Sequence, residues 1–278
     1  KRSKISNVHY IYLFHSMVSN HMIYRKNAFD HYDTIFCVGK HHIDEIKKTE
    51  KIYNLPKKTL VEFGYGKLEN LINSKPVNDS SKTSNSKKTI LIAPSWGDNG
   101  LIENYGKSLV MSLLEKDYNV ILRPHPMSYK KSQKIIDDIK QTFYKNPDFI
   151  LELDIRNSTS FFDSDCMISD WSGVSFEYAF ALEKPVLFID IPKKINNPDY
   201  IQLDIIPIEE KIRSEIGFVM NSNEIRKISS HLDNLWKNYN AIKTNIAIIK
   251  SQTVFNIGSS AKIGSEFILN KLNKTSNS

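Results

Sequence analysis

The stretch DCMISDWSGVSFE, residues 165–177, decides the fold. Its apolar run from Cys166 to Ser169 is typical of a buried strand, and a turn of small residues leads from it into a helical pattern at 175–182. A strand that enters a helix through such a turn presents backbone N–H groups and the positive end of the helix to an anion. The stretch therefore predicts an α/β fold with a phosphate-binding turn.

Strand-like and helical patterns alternate on both sides of this stretch. The strand-like runs are 89–93, 119–123, 149–153, 166–169 and 185–189, and the helical patterns are 103–116, 130–144 and 175–182. Strands separated by a helix of about a dozen residues form right-handed βαβ units and a parallel sheet. We expect a doubly wound, Rossmann-like domain.

The residues before position 73 supply about half the elements of a second such domain. Strands are predicted at 10–14 and 34–38 and a helix at 41–53, and since the first residue is Lys1 we expect the missing strands upstream of it. Ser, Asn and Lys dominate 73–88, as they do in linkers. The predicted organisation is a truncated Rossmann-like domain, a linker, a complete Rossmann-like domain, and a helix with a tail, at 1–72, 73–88, 89–250 and 251–278.

The charge limits the partners. The chain has 38 basic and 31 acidic residues, a formal charge of +7, which suits phosphorylated ligands or anionic lipid headgroups. Its lysines are scattered and no nucleic-acid-binding motif is present, so we expect no nucleic acid. No run is apolar enough to span a membrane. Both cysteines lie in strand-like runs, where a buried, reduced thiol acts as a small hydrophobic side chain. We therefore expect a cytoplasmic protein that is at most peripheral on the inner face of the membrane.

Three turns follow strands, at the edge where ligands of parallel sheets bind. They are 93–98, 123–126 and 169–177. In the third turn Ser172, Gly173 and Ser175 would cradle a diphosphate, and Glu177 would reach the hydroxyls of a ribose. The alternative is ordinary helix capping, with Asp170 or Ser172 as the cap and Glu177 as a first-turn carboxylate.

Histidines in two of the strand-end segments suit catalysis. His125 stands between two prolines in a rigid loop that begins at Arg123, and as a hydrogen-bond donor it would neutralise charge on a leaving phosphate. The alternative is a rigid turn in which Arg123 makes a salt bridge. His15 follows the strand at 10–14 and suits a general base, with His21 as the competing candidate. The histidine spacings match no zinc site, so we expect neither a metal nor a cofactor.

Three motifs in this order resemble the CDP-glycerol glycerophosphotransferases of teichoic acid and capsule synthesis. They are APSW at 93–96, RPHP at 123–126 and the segment 165–185. The resemblance implies a GT-B fold whose C-terminal domain binds a CDP-linked donor without a metal and whose N-terminal domain binds the acceptor. It also implies that His125 contacts the donor phosphates, that Ser172 and Gly173 lie on the diphosphate, and that His15 activates the acceptor hydroxyl.

The predicted reaction transfers glycerol phosphate, or a related polyol phosphate, from a CDP-linked donor to a hydroxyl of a lipid-linked or polymeric glycan acceptor. The catalytic candidates are His15 and His125. The donor-binding candidates are Ser95, Trp96, Arg123, Asp170, Ser172, Gly173, Ser175 and Glu177.

The sequence departs from the family pattern at Ser16 to His21, at Trp171 and at Gly173, which leaves other donors open. One alternative is a GT-B glycosyltransferase that uses a nucleotide sugar. A second is a nucleotide-sugar 2-epimerase, and a third is a truncated nucleotide-binding module without activity.

Overall fold

A computed structural model describes residues 8–76, 87–156 and 158–276. These residues form two compact units, each made of separate pieces of chain. The first unit takes its residues from 1–70, 195–210 and 250–278, and the second from 71–194 and 211–249. Each unit contains a parallel sheet, which confirms the predicted α/β class.

The first unit contains a three-stranded parallel sheet in the order β1-β2-β3. The strands are β1 (Ile11–Leu13), β2 (Thr34–Cys37) and β3 (Thr59–Glu62), with helix α1 (Lys40–Ile52) between the last two. A 3₁₀ helix (Pro198–Leu203) and helix α11 (Ser260–Ser276) also belong to this unit. Phe267 of α11 packs edge-on against Phe36 of β2, with ring centroids 5.5 Å apart.

The second unit contains a six-stranded parallel sheet in the order β6-β5-β4-β7-β8-β9. Its strands are β4 (Thr89–Ile92), β5 (Asn119–Leu122), β6 (Phe149–Leu151), β7 (Cys166–Ser169), β8 (Val186–Asp190) and β9 (Gly217–Asn221). Its helices are α3 (Leu101–Leu114), α4 (Pro126–Lys131), α5 (Gln133–Phe143), α6 (Thr159–Asp163), α7 (Val174–Leu182), α9 (Ile228–Lys237) and a 3₁₀ helix (Ser222–Lys227). Three further helices contain the residues where the chain passes between units, α2 (Gly66–Asn73), α8 (Ile208–Ile212) and α10 (Tyr239–Thr253).

The strand order of the second sheet creates a switch point between β4 and β7. The chain builds outward from β4 through β5 and β6, then returns to the other side of β4 with β7, β8 and β9. Ile92 lies opposite both Leu122 and Ile168, so the carboxyl ends of these three strands are level. The turns that follow them therefore meet at one edge of the sheet, where open α/β sheets bind ligands.

Several elements differ from the sequence predictions. Strands β3 and β9 were not predicted, and the helix expected at 130–144 is two helices that meet at Ser132. Residues 77–86 of the predicted linker lie outside the described residues. Helix α2 includes 71–73 at its end, so the first position of the predicted linker is helical.

The boundaries of the compact units also differ from the predicted ones, because contacts distant in sequence decide them. Residues 195–210, expected in the second domain, join the first unit, where the N–H groups of Asn196 and Asn197 donate to the Met22 carbonyl. The tail expected at 251–278 joins it as well, since the Phe255 N–H donates to the Val38 carbonyl. Within the described ranges, no helix has the length and apolar character needed to cross a bilayer.

Candidate functional site

Asp170 ties two of the strand-end turns together at the switch point. Its carboxylate accepts hydrogen bonds from the Ser95 N–H at 2.8 Å, the Ser95 hydroxyl at 2.9 Å and the Ser172 N–H at 3.0 Å. The side chain is fully buried, and burial raises its pKa to about 6 although these hydrogen bonds oppose the shift. Asp170 therefore stabilises the turns after β4 and β7, and its carboxylate is not exposed to a ligand.

The turn after β7 leads directly into α7, a helix of nine residues. The N–H groups of Gly173 and Val174 have no acceptor within the described part of the chain. First-turn amides of this kind attract anions through their donors and the helix dipole. Ser172 and Gly173 are partly exposed, so an anion can approach these amides.

Two other predicted residues of this turn face inward. The Ser175 hydroxyl is buried and donates to the Ser172 carbonyl at 2.7 Å, which stabilises the turn. Glu177 is 4% exposed in the first turn of the helix. Ser175 therefore has a structural role, and ribose binding by Glu177 stays a prediction.

His125 caps the short helix α4, and this fixes the chemistry of its ring. Its Nδ1 accepts the Met127 N–H at 3.1 Å, so the neutral ring carries its proton on Nε2. Burial lowers the pKa of His125, and the positive charge of Lys194 lowers it further. The ring is thus a neutral hydrogen-bond donor near pH 7. It is half-buried in the turn after β5.

Two lysine side chains lie close to the Trp96 indole, next to His125. The Lys194 Nζ lies 3.1 Å from the centroid of the indole and the Lys131 Nζ lies 4.7 Å from it. The His125 ring is stacked on the same indole with centroids 6.1 Å apart. Neither lysine has a carboxylate within 4 Å in the described residues, so this cluster attracts anions. We call Trp96, His125, Lys131 and Lys194 the Trp96 cluster.

Arg123 does not join the Trp96 cluster. Its guanidinium is 8% exposed and donates to the Glu152 carboxylate at 2.6 Å, the Ser160 hydroxyl at 3.0 Å and the Ile155 carbonyl at 2.6 Å. The predicted contact with the donor is therefore corrected to a structural salt bridge. The cause is the register of the sheet, because Leu122 pairs with Leu151 and the next residues, Arg123 and Glu152, lie side by side.

Sequence reasoning missed Lys131, Lys194 and two further residues that support the site. The Glu103 carboxylate accepts the hydroxyls of Ser128 and Ser132 at 2.8 and 3.2 Å and so positions the loop that carries His125. Arg213, which is 7% exposed, lies 3.5 Å above the Trp171 ring and binds Asp190 at 2.8 Å. Lys194 follows β8, so the strand-end rule extended to that strand would have found it. No sequence signal marks the others.

The two histidines that competed for the role of base lie in different environments. His15 is exposed, and its backbone carbonyl accepts the Tyr65 hydroxyl at 2.7 Å. His21 is 3% exposed, with its Nδ1 3.2 Å from the Glu45 carboxylate and its Nε2 3.2 Å from the Ile205 carbonyl. A general base must reach its substrate, so the geometry favours His15 over His21.

Two buried carboxylates hold the loop that joins His15 to His21. Glu45 accepts the N–H groups of Asn20 and His21, and Glu209 accepts the Ser19 N–H at 3.1 Å. Burial raises the pKa of Glu209 to about 7. Burial acts in the same direction on Glu45, but the hydrogen bond and charge of His21 outweigh it and lower its pKa to about 2. No group of three or more potential metal ligands occurs within the described ranges.

A family model matches the sequence over residues 4–194, which is more than half of the chain. The model is described as CDP-glycerol:poly(glycerophosphate) glycerophosphotransferase. The chain belongs to this family. The match covers His15 and the whole Trp96 cluster, so the candidate residues of this glycerophosphotransferase-family chain all lie within the matched region.

Solved structures with the same fold come from proteins of low sequence identity. UDP-GlcNAc 2-epimerase from Neisseria meningitidis, bound to UDP-GlcNAc, is 16% identical with a TM-score of 0.56, and the alignment covers 87% of this chain and 63% of that one. The S. aureus MnaA–UDP complex is 18% identical with a TM-score of 0.58, covering 87% and 61%. Sucrose-phosphate synthase from Thermosynechococcus elongatus is 10% identical with a TM-score of 0.52, covering 97% and 69%.

These likenesses confirm the predicted GT-B-like class, since the neighbours are glycosyltransferases and epimerases of that fold. The glycerophosphotransferase-family chain spans about three fifths of the length of the Neisseria meningitidis and S. aureus proteins. No curated protein sequence matches it.

Proposed function

We propose that this protein transfers glycerol phosphate, or a related polyol phosphate, from a CDP-linked donor to an acceptor hydroxyl. The observation that carries the proposal is the Trp96 cluster at the switch point of the second sheet, in the unit that also holds the open amides of Gly173 and Val174. Two cations, a neutral imidazole donor and a helix N-terminus together suit a diphosphate with two negative charges. Family membership supports the choice of CDP-glycerol as the donor.

In this proposal the diphosphate lies between the Trp96 cluster and the turn after β7. The Gly173 and Val174 amides bind one phosphate, and Lys131, Lys194 and the His125 Nε2–H bind the other. Because these groups are in place before the reaction, they stabilise the charge that develops on the departing nucleotide without reorganisation. The fixed tautomer of His125 supports the role of hydrogen-bond donor over that of proton acceptor.

The acceptor oxygen attacks the phosphorus of the glycerol phosphate group. A new phosphorus–oxygen bond forms, the bond to the bridging oxygen of CMP breaks, and CMP leaves with that electron pair. His15 takes the proton of the acceptor hydroxyl, as its exposed ring supports. The products are a phosphodiester on the acceptor and CMP.

The acceptor in this proposal is a lipid-linked or polymeric glycan of teichoic acid or capsule synthesis. The reaction takes place on the inner face of the membrane, where the positive charge of the chain favours peripheral contact with anionic lipid. It needs no metal, since the two lysines supply the charge that a magnesium ion would otherwise supply.

Calorimetry with CDP-glycerol, CMP and UDP-GlcNAc tests the proposal. We expect CDP-glycerol to bind more tightly than UDP-GlcNAc and to release CMP in the presence of a glycerophosphate acceptor, with the same rate in EDTA. Tighter binding of UDP-GlcNAc would favour a sugar transferase or epimerase. Absence of binding by any nucleotide would overturn the proposal.

A further inference from the structure

Arg213 follows helix α8 and is buried in the second unit. It is 7% exposed, and its guanidinium carbon lies 3.5 Å from the centroid of the Trp171 ring and 5.7 Å from that of Phe188. One guanidinium nitrogen, Nη2, donates to the Asp190 carboxylate at 2.8 Å. The guanidinium therefore contacts both the indole of the turn after β7 and the carboxylate at the end of β8.

The other two nitrogens of this guanidinium have no partner. Nε and Nη1 are buried, and no acceptor within the described residues bonds to them. A buried charge with unpaired donors lowers stability, and an apolar side chain of similar volume is often at least as stable. The Asp190 side chain is 46% exposed, so water can solvate it without the arginine. Stability alone does not explain an arginine at this position.

Trp171 connects two segments that carry candidate donor-binding groups. The open amide of Gly173 lies two residues after it in the chain. Its indole Nε1 donates to the Ile191 carbonyl at 2.8 Å, in the segment after β8 that leads to Lys194 of the Trp96 cluster. A change in the orientation of this indole would therefore disturb both segments.

The two lysines after β8 divide between two indoles. The Lys193 Nζ lies 5.4 Å from the centroid of the Trp171 ring, whereas the Lys194 Nζ lies 3.1 Å from that of Trp96. A rotation of this segment that moved Lys193 away from Trp171 would also move Lys194 away from Trp96. The bond from Trp171 to the Ile191 carbonyl opposes such a rotation.

From these contacts we infer that Arg213 is a positioning residue for the diphosphate of the donor. Its planar guanidinium stacks on the Trp171 indole, as a lysine could not, and holds the ring in one orientation. The ring in turn fixes the amides of the turn after β7 and the segment that carries Lys194. Arg213 acts through Trp171 and does not touch the donor. The contacts stand by themselves, whereas their role toward a nucleotide-linked donor rests on the proposed function.

Arg213→Met in the full chain, titrated with CDP-glycerol and unfolded by heat, tests this inference. Methionine fills much of the same space without the unpaired donors, and it cannot form the cation–π contact. We expect about tenfold weaker binding, with a melting temperature equal to or above that of the parent. Lys211→Met is the matched control, because Lys211 is an exposed cation two residues away, and it should retain the affinity and stability of the parent.

A double-mutant cycle with Trp171→Leu tests whether Arg213 acts through the indole. Trp171→Leu should also weaken binding about tenfold, and the double variant should bind no more weakly than either single variant, because both remove the same link. Trp171→Phe keeps a ring for stacking but loses the Nε1–H donor, so its affinity should fall between those of the parent and Trp171→Leu. Losses that add in the double variant would overturn the positioning role.

Two other results would also overturn this inference. One is parent-like affinity in Arg213→Met while the parent binds CDP-glycerol, which leaves the proposed function in place. The other is a lower melting temperature in Arg213→Met, which would assign the arginine to folding. If the parent binds UDP-GlcNAc in place of CDP-glycerol, the proposed donor is wrong, but the same tenfold loss is expected with UDP-GlcNAc, because the positioned groups bind a diphosphate. Absence of binding of both nucleotides by the parent would overturn both proposals.

Discussion

The segment after β1 and the turn after β5 both carry a candidate histidine, but different contacts hold them. The turn at 123–128 has strong local constraints, two prolines and the bond from the Met127 N–H to His125, in addition to the distant contacts of Arg123 and Ser128. The segment at 15–21 is fixed by Glu45 and Glu209, which are 25 and 190 residues away from the amides they bind. Local contacts can be seen in a sequence, whereas distant ones cannot.

This difference also separates two kinds of histidine. His125 has one ring nitrogen committed to the backbone, which makes it a fixed donor. The His15 backbone carbonyl accepts the Tyr65 hydroxyl, and the exposed ring can meet a substrate. The five predictions that follow test whether this division of roles is correct, from the largest expected effect to the smallest.

His15→Gln should lower the rate of CMP release about 1000-fold and leave the affinity for CDP-glycerol within twofold, because a general base contributes on this order. His21→Gln should instead cost about 1–3 kcal/mol of unfolding free energy through its buried partners, with a much smaller loss of rate. Single-turnover kinetics and urea unfolding measure the two quantities. A greater loss of rate in His21→Gln would reverse the assignment.

His125→Asn should lower the rate about 100-fold, because the Nε2–H donor is lost. Asparagine is a good N-cap, so it should keep the bond from the Met127 N–H and leave stability nearly unchanged. Rates and thermal unfolding of this variant should be compared with His125→Ala, which loses the cap as well. If the asparagine variant retains full activity, the donor role of His125 is wrong.

Arg123→Met should lower the unfolding free energy by about 3 kcal/mol, since it leaves the Glu152 carboxylate without its buried partner. Affinity for CDP-glycerol should stay within twofold in the folded fraction. Chemical denaturation and calorimetry check both parts. A large loss of affinity without loss of stability would restore Arg123 to the donor site.

Glu209→Gln should change the pH dependence of stability. The pKa of Glu209 is raised from 4.5 to about 7, so between these values the folded chain keeps a proton that the unfolded chain releases. The parent therefore loses up to roughly 3 kcal/mol of unfolding free energy as the pH rises from 4.5 to 7, and the variant should not. Urea unfolding at pH 5 and pH 8 measures this, with Glu210→Gln, an exposed neighbour, as the control. Parallel pH profiles in parent and variant would contradict the buried state of Glu209.

Lys194→Met should weaken CDP-glycerol binding about tenfold, because one cation of the Trp96 cluster is removed. Lys130→Met is the matched control, since Lys130 is exposed and adjacent to Lys131 in the sequence. The difference between the two variants should shrink at high salt. Equal affinities at low salt would remove Lys194 from the donor site.

The second sheet could be predicted because most of its strands are continuous apolar runs that end in polar turns. Ile90, Leu91 and Ile92 are fully buried, as such a run requires. Strand β3 was missed because its ends, Thr59 and Glu62, are exposed, whereas predicted strands of the same length, such as β7, are buried throughout. Short, half-exposed strands carry little signal of their own.

The candidate site was predicted in part for the same reason. Strand ends identified Trp96, His125 and Gly173, but the direction of each side chain depends on neighbours that only the folded sheet supplies. Arg123 turns to Glu152 because of strand register, and Lys131 joins Trp96 because α4 ends beside it. Neither fact follows from spacing along the chain.

Because the chain passes between the units at four places, neither unit corresponds to one uninterrupted gene segment. A gene divided in the segment 73–88 would express residues 195–210 and 250–278 without the sheet against which they belong, and Phe267 would lose Phe36. Experiments on a single unit should therefore use the intact polypeptide. A tag or fluorescent label is better inserted at an exposed position within one of the units than used to separate them.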